Sequence, residues 1–409
     1  MAKLIDLEYA TRVLHRLPEN PRIVISGNLA TPMAIVNQID QQLETATLHL
    51  LNAVRPMPRR SGITLETAFV GPGMRGAETL RYVPSRLSMV PVLLQHAMRP
   101  DAVILHTSTP RGNAVSLGIE VNILPAAIEA VRAYGGVVIA LANPRMPYTL
   151  GDSLIDLSDL DYIVDYDEEI VTHEPKEIDT TARQIGKLIS DQIRDGSTLQ
   201  LGIGAVPDAV LDSITFAHGL RIWSETVSDG VLKLERAGAL DPDIPVLTSF
   251  MNGSDDLYAW ADNNPRLSMM RTERSNSPFL ISKHFGMTSI NAALQVDLHG
   301  QANASRVNNR IYSGIGGSTD FIVGALHARR GQAFIALPSW HPKADRSTIV
   351  AELNGPVTSF QQSAVATEQG IAWLFGASER EQAEHLISKA AHPDARAELR
   401  EAAGRMTLA

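Results

Sequence analysis

Glu225 stands in the segment Trp223-Ser224-Glu225-Thr226-Val227-Ser228-Asp229-Gly230, where an apolar run gives way to a helix-like stretch. α/β enzymes place reactive groups at the C-terminal edges of strands, and a carboxylate held beside an electrophilic carbonyl can act as a nucleophile. The same spacing also suits a helix start, with Ser224 as the cap and Glu225 complementing the dipole. Spacing alone leaves both readings open.

Two glycine-rich turns accompany this carboxylate. Gly202-Ile203-Gly204-Ala205-Val206-Pro207 lies between an apolar run and a helix predicted over Asp208 to Ile214. Glycines there let backbone N–H groups approach an anion at a helix N-terminus, although a tight turn with no ligand needs the same residues. Pro207 occupies the third glycine position of a dinucleotide fingerprint, which argues against an NAD enzyme. Ser313-Gly314-Ile315-Gly316-Gly317-Ser318-Thr319-Asp320 is the second turn and can aim several amides at one oxyanion, or serve as a flexible connection.

Other chemistries find no residues. The twelve histidines show no HExxH spacing and no carboxylate cluster completes a ligand set, so no metal and no permanently bound cofactor are expected. No Gly-x-Ser-x-Gly elbow is present. With zero cysteines, disulfides, thiol nucleophiles and thiolate metal sites are all excluded, which fits a reducing compartment.

The elements that would position these groups alternate. Val/Ile-rich runs at Arg22 to Ser26, Ala46 to Asn52, Ala102 to Thr107, Gly136 to Leu141 and Tyr162 to Asp165 read as strands, with helices over Ser85 to Met98 and Leu124 to Tyr134. Asp167 to Ile178 is acidic and aperiodic and reads as a connection, followed by a helix over Thr180 to Arg194. Strands restart at Thr198 to Gly202, Arg221 to Ser224, Pro245 to Phe250 and Gln332 to Leu337. Ser378 to Ala409 reads as two helices broken at His392 and Pro393. The 409 residues exceed what one core usually organises, so the expectation is an α/β fold in two domains, 1–190 and 191–409, the second carrying Glu225.

A net charge of −9 without a long basic run argues against a nucleic-acid partner. No apolar stretch approaches the ~20 residues of a membrane helix, and Met1 to Pro18 lacks a signal-peptide core, so no membrane and a cytoplasmic location are expected. A symmetric homodimer, or a higher homo-oligomer, is the commonest assembly for such a chain.

Taken together, Leu201 to Ala209, Ser224 to Gly230, Met251-Asn252-Gly253-Ser254, Asp262-Asn263-Asn264-Pro265, Ser275-Asn276-Ser277-Pro278, Ile290 to Leu298, Gly314 to Asp320, Thr367 to Ala372 and Ala391-His392-Pro393 resemble the acetyl-CoA hydrolase/transferase family in order and spacing. The likeness runs from about Gly27 to Ala403. It implies two similar open α/β domains of CoA-transferase type with the active site in the cleft between them. It also implies transfer of coenzyme A from an acyl-CoA to a short carboxylic acid through a glutamyl-CoA thioester. Glu225 matches the family's nucleophile, and Asn276 and Gly317 its oxyanion donors. Gly202, Gly204, Ala205, Gly316, Glu368 and Lys343 fall on segments expected to meet coenzyme or substrate.

Some segments depart from the family pattern. Pro110-Arg111-Gly112-Asn113 stands where many members carry an Asp and a His, Trp340-His341-Pro342-Lys343 replaces a usual Thr-Ala-x-Gly, and Ser347-Thr348-Ile349 replaces Ser-Arg-Ile. Two alternatives stay open: an acyl-CoA hydrolase using the same glutamate, and a non-catalytic protein that only binds coenzyme A.

Overall fold

The computed structural model describes residues 2–175, 177–355, 357 and 361–408. By their contacts these form two units. The first comprises Met1–Glu174, Val246–Ser275 and Ile311–Gly316, and the second Pro175–Pro245, Asn276–Arg310 and Gly317–Ala409.

Unit 1 is built on eight parallel strands: β1 (Lys3–Ile5), β2 (Arg22–Ile25), β3 (Ala46–His49), β4 (Ile63–Thr67), β5 (Leu80–Tyr82), β6 (Ala102–Ser108), β7 (Val137–Asn143) and β8 (Tyr162–Asp165). Their order is β1-β8-β7-β6-β2-β3-β4-β5. β6, Ala-Val-Ile-Leu-His-Thr-Ser, is buried at every position, as a central parallel strand covered on both faces must be. Helices α1 (Leu7–Leu14), α2 (Met33–Gln42) and α3 (Leu124–Ala133) provide cover, and α1 starts where the Asp6 carboxylate accepts the Tyr9 amide at 2.6 Å. The core lies under α1 and α2, around Ile23, Ile25, Ile35, Ile39, Leu48 and Leu65.

β4, Ile-Thr-Leu-Glu-Thr, escaped the sequence reading because it is not an apolar run. Its Glu66 side chain is nonetheless fully buried, accepting from Arg22 Nε at 2.9 Å and lying 3.2 Å from His49 Nδ1, with Arg81 also on it. Burial alone would raise this carboxyl, but the His49 and Arg22 interactions outweigh it and hold Glu66 down at about 2. A charge enters the sheet only because its partners arrive on neighbouring strands.

Unit 2 carries a six-stranded sheet: β9 (Thr198–Leu201), β10 (Arg221–Ile222), β11 (Thr288–Ala292), β12 (Gln332–Ala336), β13 (Ala364–Thr367) and β14 (Gly370–Trp373), in the order β10-β9-β11-β12-β13-β14. All pairs are parallel except the β13–β14 hairpin. From β9 the chain goes to β10 on one side and then to β11 on the other. β9 is therefore the topological switch point, at whose C-terminal edge open α/β sheets bind ligands. Flanking helices are α4 (Thr180–Ser190), α5 (Ala205–Ser213), α6 (Asp229–Arg236), α7 (Ser318–His327), α8 (Glu379–His385) and α9 (Arg396–Arg405).

The sequence reading cut the chain once, after residue 190, whereas the contacts return 246–275 and 311–316 to unit 1. Val246–Thr248, read as a strand of the second domain, pairs in parallel with Leu267–Met269 inside unit 1. The helix read over Ser85 to Met98 is a 3-10 turn at Leu87–Met89 running into a helix at Val90–Gln95, with Pro91 in its first turn. Ser378 forms a capping box with Glu381 at the head of α8, and the break at His392 and Pro393 is a 3-10 turn before α9. Met1, Lys176 and Ala409, which fall within segments read above, lie outside the described residues.

Candidate active site

Glu225 sits just beyond β10, on the flank of the switch point. β10 was predicted to reach Ser224 and ends formally at Ile222, but the segment stays beside β9. Trp223 donates its amide to Leu199 O at 3.0 Å, and the buried Ser224 hydroxyl both accepts from Leu201 N at 3.3 Å and donates to Leu201 O at 3.2 Å. Ser224 is thus a tie to the neighbouring strand and not a helix cap. The helix begins four residues later, with Ser228 at the cap position of α6. Glu225 is left pointing out of a fixed turn.

Asn276 and Gly317 meet it there. The fully buried Asn276 donates its side-chain amide to Glu225 Oε2 at 2.9 Å. Gly317 is the N-cap of α7, and a Cβ added to it would stand 1.9 Å from Glu225 Oε2 and 2.2 Å from Asn276 Nδ2. The carboxylate therefore fills the space that any other residue type at 317 would need, at the N-terminal end of a helix, where the first N–H groups find no acceptor within the helix itself. Asp320, one turn into α7 and buried, adds a like charge.

Burial pushes the Glu225 carboxyl up to about 7, the Asn276 amide pulls it back, and Asp320 pushes it up again. If Glu225 is the attacking group it must be ionised, and on that reading kcat/KM is expected to rise with pH along a limb centred near 7, in place of the flat profile an ordinary glutamate would give above pH 6. Asp320→Asn removes the like charge and is expected to shift that limb to lower pH. A limb unmoved in the variant counts against Asp320 as its cause.

The other residues singled out in the sequence stand on separate segments. Gly202 follows β9 and donates its amide to Ile290 O at 2.8 Å, Gly204 is the N-cap of α5 at φ 134°, and Ala205 opens that helix on an exposed turn. α5 starts earlier than predicted because Pro207 is tolerated in a first turn. Gly316, at φ 64°, belongs to unit 1, where its carbonyl accepts from Leu87 N at 3.0 Å. Glu368, in the β13–β14 turn, accepts from Ser339 N at 2.9 Å and from the Ser339 hydroxyl, with Gln369 Nε2 3.3 Å from Oε1. Lys343 is exposed in the turn between Trp340–His341 and Arg346–Ser347.

Two features were not legible. Ser339 fixes Glu368 from a different strand end, with no motif to announce it. In unit 1, Asn28, Asn52 and Asn122 adopt positive φ (48°, 47° and 32°) in one buried network: Asn52 donates to Asn28 Oδ1 at 2.8 Å, Asn28 to Glu120 Oε2 at 2.6 Å, and Asn122 to Glu120 Oε1 at 3.3 Å. Among the described residues no group of three or more His, Asp or Glu is placed to hold a metal ion, and no helix is long and apolar enough to cross a membrane.

A carboxylate at a sheet switch point, cradled by an amide and a glycine at a helix start, defines an α/β enzyme. Residues 63–174 match the acetyl-CoA hydrolase/transferase N-terminal domain and 253–403 the C-terminal domain of the same family. The chain belongs to the acetyl-CoA hydrolase/transferase family. It is 32% identical to 4-hydroxybutyrate coenzyme A transferase of Clostridium kluyveri, over 95% of both chains. It is also 34% identical to the acetyl-CoA hydrolase of Saccharomyces cerevisiae, over 48% of this chain and 38% of that one. The solved structure of 4-hydroxybutyrate CoA-transferase from Porphyromonas gingivalis superposes with a TM-score of 0.83 at 30% identity, covering 99% of this chain and 98% of that one.

Proposed function

We propose that the protein is an acyl-CoA:carboxylate CoA-transferase in which Glu225 carries the coenzyme as a glutamyl thioester. The observation that carries this reading is the Glu225–Asn276–Gly317 cluster: an ionisable oxygen with an amide donor at 2.9 Å and no room for a side chain at 317.

The steps follow from carbonyl chemistry. A Glu225 oxygen attacks the thioester carbon, the C–S bond breaks, and coenzyme A leaves as thiolate, giving an acyl-glutamyl anhydride. The thiolate attacks the glutamyl carbonyl and expels the acid as carboxylate, leaving glutamyl-CoA. A second carboxylate reverses the sequence. Each tetrahedral intermediate holds an oxyanion that the Asn276 side chain and the Gly317 amide can stabilise, and such a donor typically lowers the barrier by ~3 to 4 kcal/mol. Water must be kept from the anhydride, since hydrolysis competes with thiolate return.

The resemblance to acetyl-CoA hydrolases supports a second reading, with the same glutamate and water as final acceptor. One experiment addresses both. Protein incubated with acyl-CoA and quenched with borohydride or hydroxylamine is expected to yield a peptide modified at Glu225 by mass spectrometry. Added acetate or succinate is expected to accelerate acyl exchange. An unmodified Glu225 peptide under turnover would end the covalent reading, and coenzyme release indifferent to any acid would select the hydrolase.

A further inference from the structure

Gly324 lies inside α7, seven residues and so about two turns after Gly317, which places the two glycines on one face of the helix about 10 Å apart along its axis. Its backbone is helical and its φ is not positive, so no turn demands glycine here, and glycine in a helix interior is destabilising relative to alanine. What demands it is space. A Cβ at 324 would stand 2.5 Å from both Cβ and Cγ2 of Ile281 and 3.2 Å from the carbonyl oxygen of Pro278. Ile281 is β-branched and stiff, so these are not atoms that swing aside cheaply.

They belong to the short helix Pro278–Ile281, which begins two residues after Asn276. Ile281 is fully buried, whereas Phe279 on the same helix is exposed. Four residues are too few to hold a helix by themselves. Apart from its own turn bonds and the Ser277 cap, which accepts from Leu280 N at 3.4 Å, this helix is located by what it packs on, and that is α7. α7 in turn lies on β11 and β12. A wedge between the two helices would therefore shift the short one and leave α7 in place.

The Glu225 carboxylate is met from both elements: Gly317 opens α7, and Asn276, whose amide reaches Oε2 at 2.9 Å, leads into the short helix. How closely the helices run is set where 324 meets 281. We infer that Gly324 is a positioning residue for Asn276, because by letting Ile281 seat against the backbone of α7 it fixes the amide donor at its distance from Glu225. The inference rests on the role of Glu225 proposed above. It gives α7 two tasks, a first turn that receives the carboxylate and an inner turn that places the neighbouring amide.

The test uses the full chain and three substitutions, Gly324→Ala, Ile281→Gly and Asn276→Ala. Gly324→Ala adds the methyl that Ile281 excludes and is expected to lower kcat on the order of tenfold, less than the ~10²-fold of a misplacement of about 1 Å, with KM for acyl-CoA within about twofold of wild type. The pH limb of kcat/KM should also move up, because the Asn276 hydrogen bond is what pulls the Glu225 carboxyl down. A glycine needed for folding alone would move the unfolding midpoint and leave that limb where it is. Ile281→Gly removes both atoms the methyl meets and should lower kcat by itself, whereas the Gly324→Ala/Ile281→Gly double variant should regain at least about half of wild-type kcat, and the wild-type limb, while melting lower. In an Asn276→Ala background, Gly324→Ala should cost less than about twofold, and this cycle decides alone if the double variant does not fold. Three results would overturn the assignment while Glu225 is still labelled by acyl-CoA: wild-type kcat and limb in Gly324→Ala, a folded double variant with no recovery, or a loss as large without Asn276 as with it. If wild type is never labelled at Glu225, it is the covalent reading that fails.

Discussion

Glu225→Gln is expected to reduce turnover by at least ~10⁴-fold while coenzyme A still binds within a few-fold of wild type, because the amide keeps the shape but cannot form the anhydride. Loss on that scale is what removing a covalent nucleophile does, whereas a group that only positions substrate typically costs a few orders less. The substitution should leave the fold intact. Glu225 is an acceptor from Asn276, and the glutamine oxygen can accept the same hydrogen bond. Thermal unfolding within a few degrees of wild type, alongside vanishing turnover, would assign the defect to chemistry. More than a tenth of wild-type kcat in the variant would remove Glu225 from the mechanism.

Gly317→Ala has the second-largest expected effect, and its signature differs. At φ −98° and ψ −4° the backbone suits alanine, so no conformational strain is introduced. The added methyl would nevertheless fall 1.9 Å from Glu225 Oε2 and 2.2 Å from Asn276 Nδ2, far inside contact distance. Both atoms are the ends of side chains that can swing away, so the fold gives cheaply. The carboxylate does not: displaced by about 1 Å it loses its line of attack, a change worth on the order of 10²-fold in kcat. Expected is a fall of ~10² to 10³ in kcat with a nearly unchanged unfolding midpoint. Gly316→Ala makes the contrast, since φ 64° there should cost stability first. A fully active Gly317→Ala enzyme would mean that the carboxylate works from a different position.

What could be read from the residues follows from which forces are local. The buried apolar strands β2, β6, β7 and β12 announce themselves, because a strand covered on both faces must be apolar. β11, Thr-Ser-Ile-Asn-Ala, does not: Ser289 and Asn291 are buried by bonding Gln200 of β9, at 2.5 Å and 3.1 Å, and that partner is 91 residues from Asn291. Nor could the return of 246–275 to unit 1 be seen, since Val246–Thr248 has the same look as any strand of unit 2.

The candidate site shows the same division. Glu225 is conspicuous by type, yet its spacing fits a helix start equally well, and only the Ser224 bonds to Leu201 separate the two. Asn276 has no local signal at all. It sits between the short helices Thr272–Ser275 and Pro278–Ile281 and becomes interesting only 51 residues away in sequence, where its amide finds the carboxylate. Resemblance to a family supplied what spacing could not.

The absence of cysteine reaches into how the protein can be handled. Its sulfur is held in methionine thioethers, so coenzyme A liberated in the proposed reaction would find no protein thiol with which to exchange, and oxidised coenzyme cannot cap the chain as a mixed disulfide. A thiol-reactive dye added to the reaction would therefore count liberated coenzyme against a blank of zero from the enzyme itself.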